Sequence, residues 1–257
     1  MKFTKTVLAT ALLAGAGVAQ AELSANIGAA SNYYFRGITQ TDDGAAVSGG
    51  IDYEHESGFY AGTWLSNIDF TSAPNASVEV DGYLGFGGDI GDSGVGYDLS
   101  AWYYWYPDAG GDAQNGELDY AEISGSLSWE WATATLAYTV WAEADDLDDI
   151  NTDATAQAFQ EGDIYAELAI APDWDYEGFA PSASIGYYAF DQDGDFDIAA
   201  GEDQDLDYVT WTVGVTKDAG DFGAFSLNYV QNNFSGNADN FWGSDNPKFY
   251  VSWAKGF

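Results

Sequence analysis

The chain has 257 residues, 46% hydrophobic and 17% aromatic, with 42 acidic against six basic side chains and a formal net charge of −36. That excess of negative charge excludes nucleic acid as a partner by repulsion, and the aromatic and apolar content excludes an intrinsically disordered chain. With no cysteine, the fold has only hydrogen bonds and packing to hold it, even in an oxidising compartment.

The first segment, Met1-Lys2-Phe3-Thr4-Lys5, is basic, and the apolar run Val7 to Val18 follows it. Ala19-Gln20-Ala21 then supplies the small-x-small pattern of a cleavage site, so residues 1–21 are predicted to be an export signal peptide. The run is too short for a helical anchor, which needs about 20 apolar residues. Nor does a later stretch of that length occur. Lys2 and Lys5 leave with the signal, and Arg36, Lys217, Lys248 and Lys255 then face all 42 acids. Residues 22–257 are predicted to form one domain.

From Leu23 onward the apolar residues recur at every second position, the period of a strand. Leu23, Ala25, Ile27, Ala29, Tyr33 and Phe35 fall on one face, and Ser24, Asn26, Gly28, Asn32, Tyr34 and Arg36 on the other. The pattern returns in chain order through Val47/Ile51/Tyr53, Tyr60/Trp64/Ile68/Phe70, Val78/Val80/Leu84/Phe86 and Val95 to Trp105. It continues through Ile123/Leu127/Trp129, Leu136/Tyr138/Val140, Ile164 to Ile170, Ile185/Tyr187, Val209 to Val215, Phe225/Leu227/Tyr229 and Phe249/Val251/Trp253. These make about twelve strands, an even number within the range of bacterial barrels. Leu118 and Tyr120 share one parity while Ile123, Leu127 and Trp129 share the other, and a bulge between Glu117 and Trp141 would reconcile them.

Connection lengths alternate. Gly37 to Ala45, Thr71 to Ser77, Pro107 to Gly116, Ala142 to Gly162, Asp191 to Leu206 and Ser235 to Pro247 are long; those between them are short, apart from Ala171 to Pro181. This is the pattern of a membrane barrel with both termini in the periplasm. Aromatics near strand ends, such as Tyr33-Tyr34-Phe35, Trp102 to Tyr106, Trp129, Trp131, Trp141 and Trp242, suit girdles at the headgroup level. The predicted fold class is therefore all-β: a transmembrane antiparallel β-barrel with short periplasmic turns and long acidic extracellular loops, in the outer membrane.

Residues 29–40, Ala-Ala-Ser-Asn-Tyr-Tyr-Phe-Arg-Gly-Ile-Thr-Gln, followed by Gly49-Gly50-Ile51-Asp52-Tyr53 and Gly58 to Trp64, resemble the amino-terminal signature of the TorF family of porin-type proteins. The resemblance is clearest over residues 23–70. It implies a proteobacterial outer-membrane barrel that passes a small solute of unassigned identity. The last strand, Phe249 to Phe257, is similar to the carboxy-terminal signal of outer-membrane proteins, which end in Phe with apolar residues at alternate upstream positions. Recognition by the barrel assembly machinery through Phe257 is expected, as is contact with outer-membrane lipid and lipopolysaccharide. Lys255 breaks the alternation, but a lysine at the rim can snorkel.

With the apolar face against lipid, the opposite parity lines the lumen with Asp52, Glu54, Glu79, Asp81, Asp98, Glu122, Asp163 and Glu167, and with one base, Arg36. A narrow lumen of carboxylates concentrates cations, which predicts passive, cation-favouring diffusion of small solutes. The alternative is a closed barrel whose acidic outer loops bind cations or partners. Arg36 is expected to pair with a lumenal carboxylate, since an isolated charge there is costly; a role facing solute or lipopolysaccharide is the other reading.

Two outer loops, Glu143 to Asp163 and Asp191 to Asp207, carry eight carboxylates each. In the second, Asp191, Asp193, Asp195 and Asp197 alternate, and Glu202 stands at the twelfth position, a spacing suited to calcium. Phe196 occupies the sixth place, where that loop needs Gly, so a solvated acidic run is the competing reading. An outer-membrane lipid enzyme is a third class. His55, the only histidine, falls at the periplasmic end, and no local motif offers it a serine nucleophile.

Overall fold

A strand with one apolar and one polar face needs different surroundings on its two sides, and its edges need partners. Rolling the sheet until its first and last strands pair meets both demands. The computed structural model, which describes residues 22–70, 76–107, 109, 118–143, 159–174, 176–191, 207–234 and 246–257, shows this closure. Its strands are β1 (Glu22–Ala30), β2 (Tyr34–Phe35), β3 (Ile38–Thr39), β4 (Ala46–Glu54), β5 (Phe59–Asn67), β6 (Val78–Asp89), β7 (Val95–Trp105), β8 (Tyr120–Trp129), β9 (Ala132–Ala142), β10 (Ile164–Ile170), β11 (Phe179–Ala189), β12 (Tyr208–Asp218), β13 (Ala224–Asn232) and β14 (Lys248–Gly256). Twelve of them, β1 and β4 to β14, form a closed antiparallel barrel in chain order, and β1 bonds to β4 on one side and β14 on the other. Backbone bonds between Ala25 and Phe257, at 2.8 and 3.2 Å, complete the seam.

The interior is polar and the exterior apolar. Leu23 is 73% exposed and Leu99 63%, and Leu84, Ile123, Leu136, Leu168, Val213 and Phe249 share that face. Ser66, Glu79, Asp81, Glu122 and Thr139 are buried. A band of exposed aliphatic and aromatic side chains around a whole barrel is unstable in water and suits hydrocarbon. Among the described residues no helix is long and apolar enough to cross a membrane.

The near rim holds the start of β1, the end of β14 and short connections, residues 55–58, 90–94, 130–131, 171–178 and 219–223. At the far rim the connections are longer, as the alternation requires. The 171–178 connection ends before Pro181, which lies inside β11 opposite Val215 and beyond the end of β10. One edge of β11 is unpaired there, so the missing N–H costs little.

The structure corrects two readings of parity and locates the expected bulge. β1 stops at Ala30 and does not run on to Phe35, because Asn32 takes the chain out of the ladder: Thr39 and Thr41 hydroxyls donate to Asn32 Oδ1 at 2.7 and 3.1 Å, and Tyr33 N–H donates to Thr41 Oγ1 at 3.2 Å. Tyr33 and Phe35 consequently sit inside the barrel with the buried aromatic cluster. In β5 the faces are inverted. Glu54 pairs with Tyr60 across the 55–58 turn, so Tyr60 and Trp64 point inward and Phe59 and Leu65 outward; Ile68 is also buried. Tyr and Trp suit either face, and the register set by the turn decides. The bulge expected between Glu117 and Trp141 is present, and it falls on β9. Ala121 opposes Trp141 and Glu122 opposes Thr139, leaving Val140 as the extra residue. Tyr120 and Glu122 then share the lumenal face without interruption.

Candidate functional site: a plugged, acid-lined lumen

Residues 31–45, the first far-rim connection, fold into the lumen as the β2–β3 hairpin. Its two-residue tip, Arg36-Gly37, has positive φ at both positions, 48° and 86°, the geometry of a tight type I′ turn. Gly37 is required twice over, since a Cβ there would lie 2.2 Å from Thr210 Oγ1 and 2.3 Å from Asn232 Oδ1. Arg36 tolerates its left-handed backbone because the walls hold it. Tyr208 OH donates to Arg36 O at 2.9 Å, and Asn232 Nδ2 donates to Gly37 O at 2.7 Å.

The guanidinium reaches the opposite wall. Its Nη1 and Nη2 donate to Glu122 Oε1 and Oε2 at 2.7 and 2.6 Å, a bidentate pair with side chains 9% and 2% exposed. The rings of Tyr165, Phe35 and Tyr188 lie 4.5, 4.6 and 5.1 Å from its central carbon. The fork matches the carboxylate and the ring faces replace lost water, so the charge is compensated where it is buried. Glu122 also accepts from Tyr104 OH at 3.3 Å and Thr139 Oγ1 at 3.4 Å.

Around this pair the far half of the lumen is packed with rings. Tyr104 stacks on Tyr120 at 4.3 Å, Tyr120 on Phe159 at 4.7 Å, and Tyr188 on Phe190 at 4.2 Å, while Tyr208 meets Phe234 edge-on at 5.1 Å. These tyrosines stand on the polar parity of their strands. That is the signal by which sequence reasoning could have placed them in the lumen and not in a membrane girdle.

The other predicted lumenal acids are spread over two levels. Glu79 and Asp81 lie beside the plug; Tyr33 OH donates to Glu79 Oε1 at 3.3 Å. Nearer the first rim, Asp52 accepts from Tyr83 OH and, at 3.2 Å, from Asn26 Nδ2; Asp98 accepts from Tyr60 OH at 2.8 Å. Glu167 accepts from Tyr165 OH at 2.9 Å. Small half-buried polar residues, Ser100, Ser124, Ser126, Ser182 and Thr216, line this near half. Glu54 is exposed at the near rim itself, opposite Glu22 and Tyr60.

Asp163 is not on a strand but in the far-rim connection just before β10, where it is buried. Backbone N–H groups of Asp191 and Gln160 donate to it at 2.8 and 3.1 Å. Burial outweighs these bonds and pushes its carboxyl up to about 7.

Of the acids suited to calcium, Asp191 is described and engages Asp163 through its backbone; Asp193, Asp195, Asp197 and Glu202 lie outside the described residues, as do residues 1–21 and Trp242. Among the described residues no three His, Cys, Asp or Glu side chains gather to hold a metal. His55 does have a serine within reach: Ser57 Oγ lies 2.8 Å from its Nδ1, and Ser57 N–H donates to the same nitrogen at 3.1 Å. Both residues are exposed in the near-rim turn, where the i to i+2 spacing brings them together and ties the turn.

Fold and lumen together define a transmembrane barrel with an internal plug. Among solved structures, the KdgM porin has a TM-score of 0.52 at 7% identity, covering 91% of this chain and 98% of that one. The NanC porin gives 0.53 at 8% identity with the same coverage. OccAB4 of Acinetobacter baumannii gives 0.45 at 16% identity; 91% of this chain is covered, but only 62% of that longer protein. At such identities the likeness is one of fold. No curated protein matches the chain. The chain belongs to the Gcw_chp family, bacterial proteins of unknown function, whose model matches residues 14–255.

Proposed function

We propose that this protein is an outer-membrane channel for passive, cation-favouring diffusion of small solutes, exported by a signal peptide at residues 1–21 and closed down to a narrow path by its first loop. One observation carries the reading: the described lumen holds Asp52, Asp98 and Glu167 toward its near half, while its single base, Arg36, is neutralised by Glu122. The net field inside is therefore negative, and low-dielectric walls focus it on any ion that enters. Support also comes from a barrel that matches each of two porins over 98% of its length and from the TorF-like segment, residues 29–40, most of which lies in the plug.

The near rim then faces the periplasm, where the assembly machinery meets Phe257, and the far rim meets lipopolysaccharide. The His55–Ser57 contact ties an exposed turn on the periplasmic side, away from outer-leaflet lipid, so the reading is of a channel and not of a lipid enzyme. The near-complete burial of Tyr120, Tyr188 and Tyr208 favours one second reading, a closed barrel that binds through its outer loops.

Recording single channels from the refolded chain in a planar bilayer under a potassium chloride gradient decides between them. Discrete steps with a cation-selective reversal potential are expected. A silent membrane after confirmed insertion selects the closed barrel, and anion selectivity refutes the electrostatic argument.

A further inference from the structure

We infer that Glu79 and Asp81 form a binding site for one divalent metal cation of the calcium or magnesium class, on the lumenal wall beside the plug. The two residues are i and i+2 on β6, so both side chains leave the same face of the strand, with backbones about 7 Å apart. Glu79 is 2% exposed and Asp81 4%. Each keeps a buried oxygen with no hydrogen-bond partner among the described residues, Glu79 Oε2 and Asp81 Oδ1.

Two carboxylates in a low-dielectric wall need a counter-charge, and the chain has none to give. After residue 21 it contains four bases. Arg36 is committed to both oxygens of Glu122. Lys248 is paired with Asp43 at 2.5 Å on the outside of the first loop. Lys217 donates to Glu177 O, and Lys255 donates to Asp221 O at 2.6 Å, both at the near rim. None of the segments outside the described residues that follow the signal contains a Lys, Arg or His, so no loop can supply the missing charge.

The neighbours fit a hard cation. Tyr33 OH stands 3.3 Å from Glu79 Oε1, and with no cysteine in the chain and its one histidine in the near-rim turn the donors at hand are oxygens; two carboxylates balance one divalent charge. Oxygen-only sets of this kind select calcium, magnesium or manganese over softer metals, and magnesium in particular is held by as few as one or two carboxylates. The inference goes beyond the channel reading, because a closed barrel would need the same counter-charge.

The test is a terbium titration of the refolded mature protein in a zwitterionic detergent, exciting the aromatic rings that stand beside the site and reading sensitised metal emission. Wild type is compared with Glu79→Gln/Asp81→Asn, and with Asp195→Asn/Asp197→Asn as a control for the acidic outer loop. Most of the sensitised emission is expected to vanish in the first variant and to persist in the control, with calcium or magnesium displacing terbium in wild type. Equal titrations for wild type and Glu79→Gln/Asp81→Asn overturn the inference. So does an infrared band of a protonated carboxyl at neutral pH in wild type that the same variant lacks, since protons would then supply the charge. Heat-modifiable gel migration checks folding, and Asp81→Asn alone serves if the double variant does not fold. None of these readouts depends on conductance, so a silent bilayer leaves the result intact.

Discussion

At the scale of single residues, the Arg36–Glu122 pair joins the plug to the wall. Removing one partner of a buried pair strands the other, which typically costs about 3–5 kcal/mol. Arg36→Ala is therefore expected to destabilise the refolded barrel by that order, read as a lower midpoint of urea unfolding in lipid. Arg36→Ala/Glu122→Ala should cost clearly less than the sum of the two single changes. Additive costs would mean that the two groups, bonded at 2.6 and 2.7 Å, do not act as a unit.

Asp163 titrates in the far-rim connection. Burial raises its carboxyl to about 7, so the folded protein keeps a proton that the unfolded chain releases near its ordinary value of about 4. The stabilisation from this group is complete below about pH 4 and is lost as pH rises through about 7. Wild type is expected to lose more stability between pH 5 and pH 8 than Asp163→Asn loses. Parallel pH profiles for the two proteins would show that burial does not dominate at this site.

At the scale of elements, each barrel strand separates lipid from lumen by alternation alone, and β7 shows it plainly: Leu99 projects outward while Asp98 and Ser100 face in. An arginine in place of Leu99 would stand in hydrocarbon, where such a charge costs about 2–4 kcal/mol near the midplane. That penalty, measured by reversible folding into vesicles, should far exceed the cost of Leu99→Ala; comparable costs would mean that this face does not meet lipid. The β2–β3 hairpin follows a different rule. Its stability comes from contacts with distant walls, made by Glu122, Tyr208 and Asn232, and hardly at all from its own two-residue strands.

For the whole molecule, the closed ring is made by twelve paired strands, and the plug strands form a separate small sheet outside that ring of pairs. Replacing residues 33–40 with a short Gly-Ser linker is expected to leave heat-modifiable folding in place and to raise single-channel conductance. If conductance is unchanged, the path lies elsewhere than past Arg36; if folding is lost, the plug is part of the barrel's own core.

Much of this molecule was legible in its sequence because the deciding physics is local. Alternation of period two, the parity of connection lengths and the turn residues led to twelve antiparallel strands, an apolar exterior and an acid-bearing interior, since each follows from neighbours along the chain. Arg36 reaches the lumen on the folded-in hairpin and not through the strand parity that placed it there, since β1 ends at Ala30; its need for a carboxylate followed from the cost of burying charge. Its partner could not be named, for Glu122 lies 86 residues away and several acids met the same criterion. The hairpin was hidden because Tyr33 and Phe35 keep the same alternation whether they face lipid or fold inward, and a phenol satisfies both environments. For the same reason Tyr60 and Trp64 took the opposite face from the one expected once the 55–58 turn set the register of β5. Charge and period belong to the chain, whereas the choice of which aromatic faces are buried, and which two carboxylates are left without a base, was made only when the barrel closed around them.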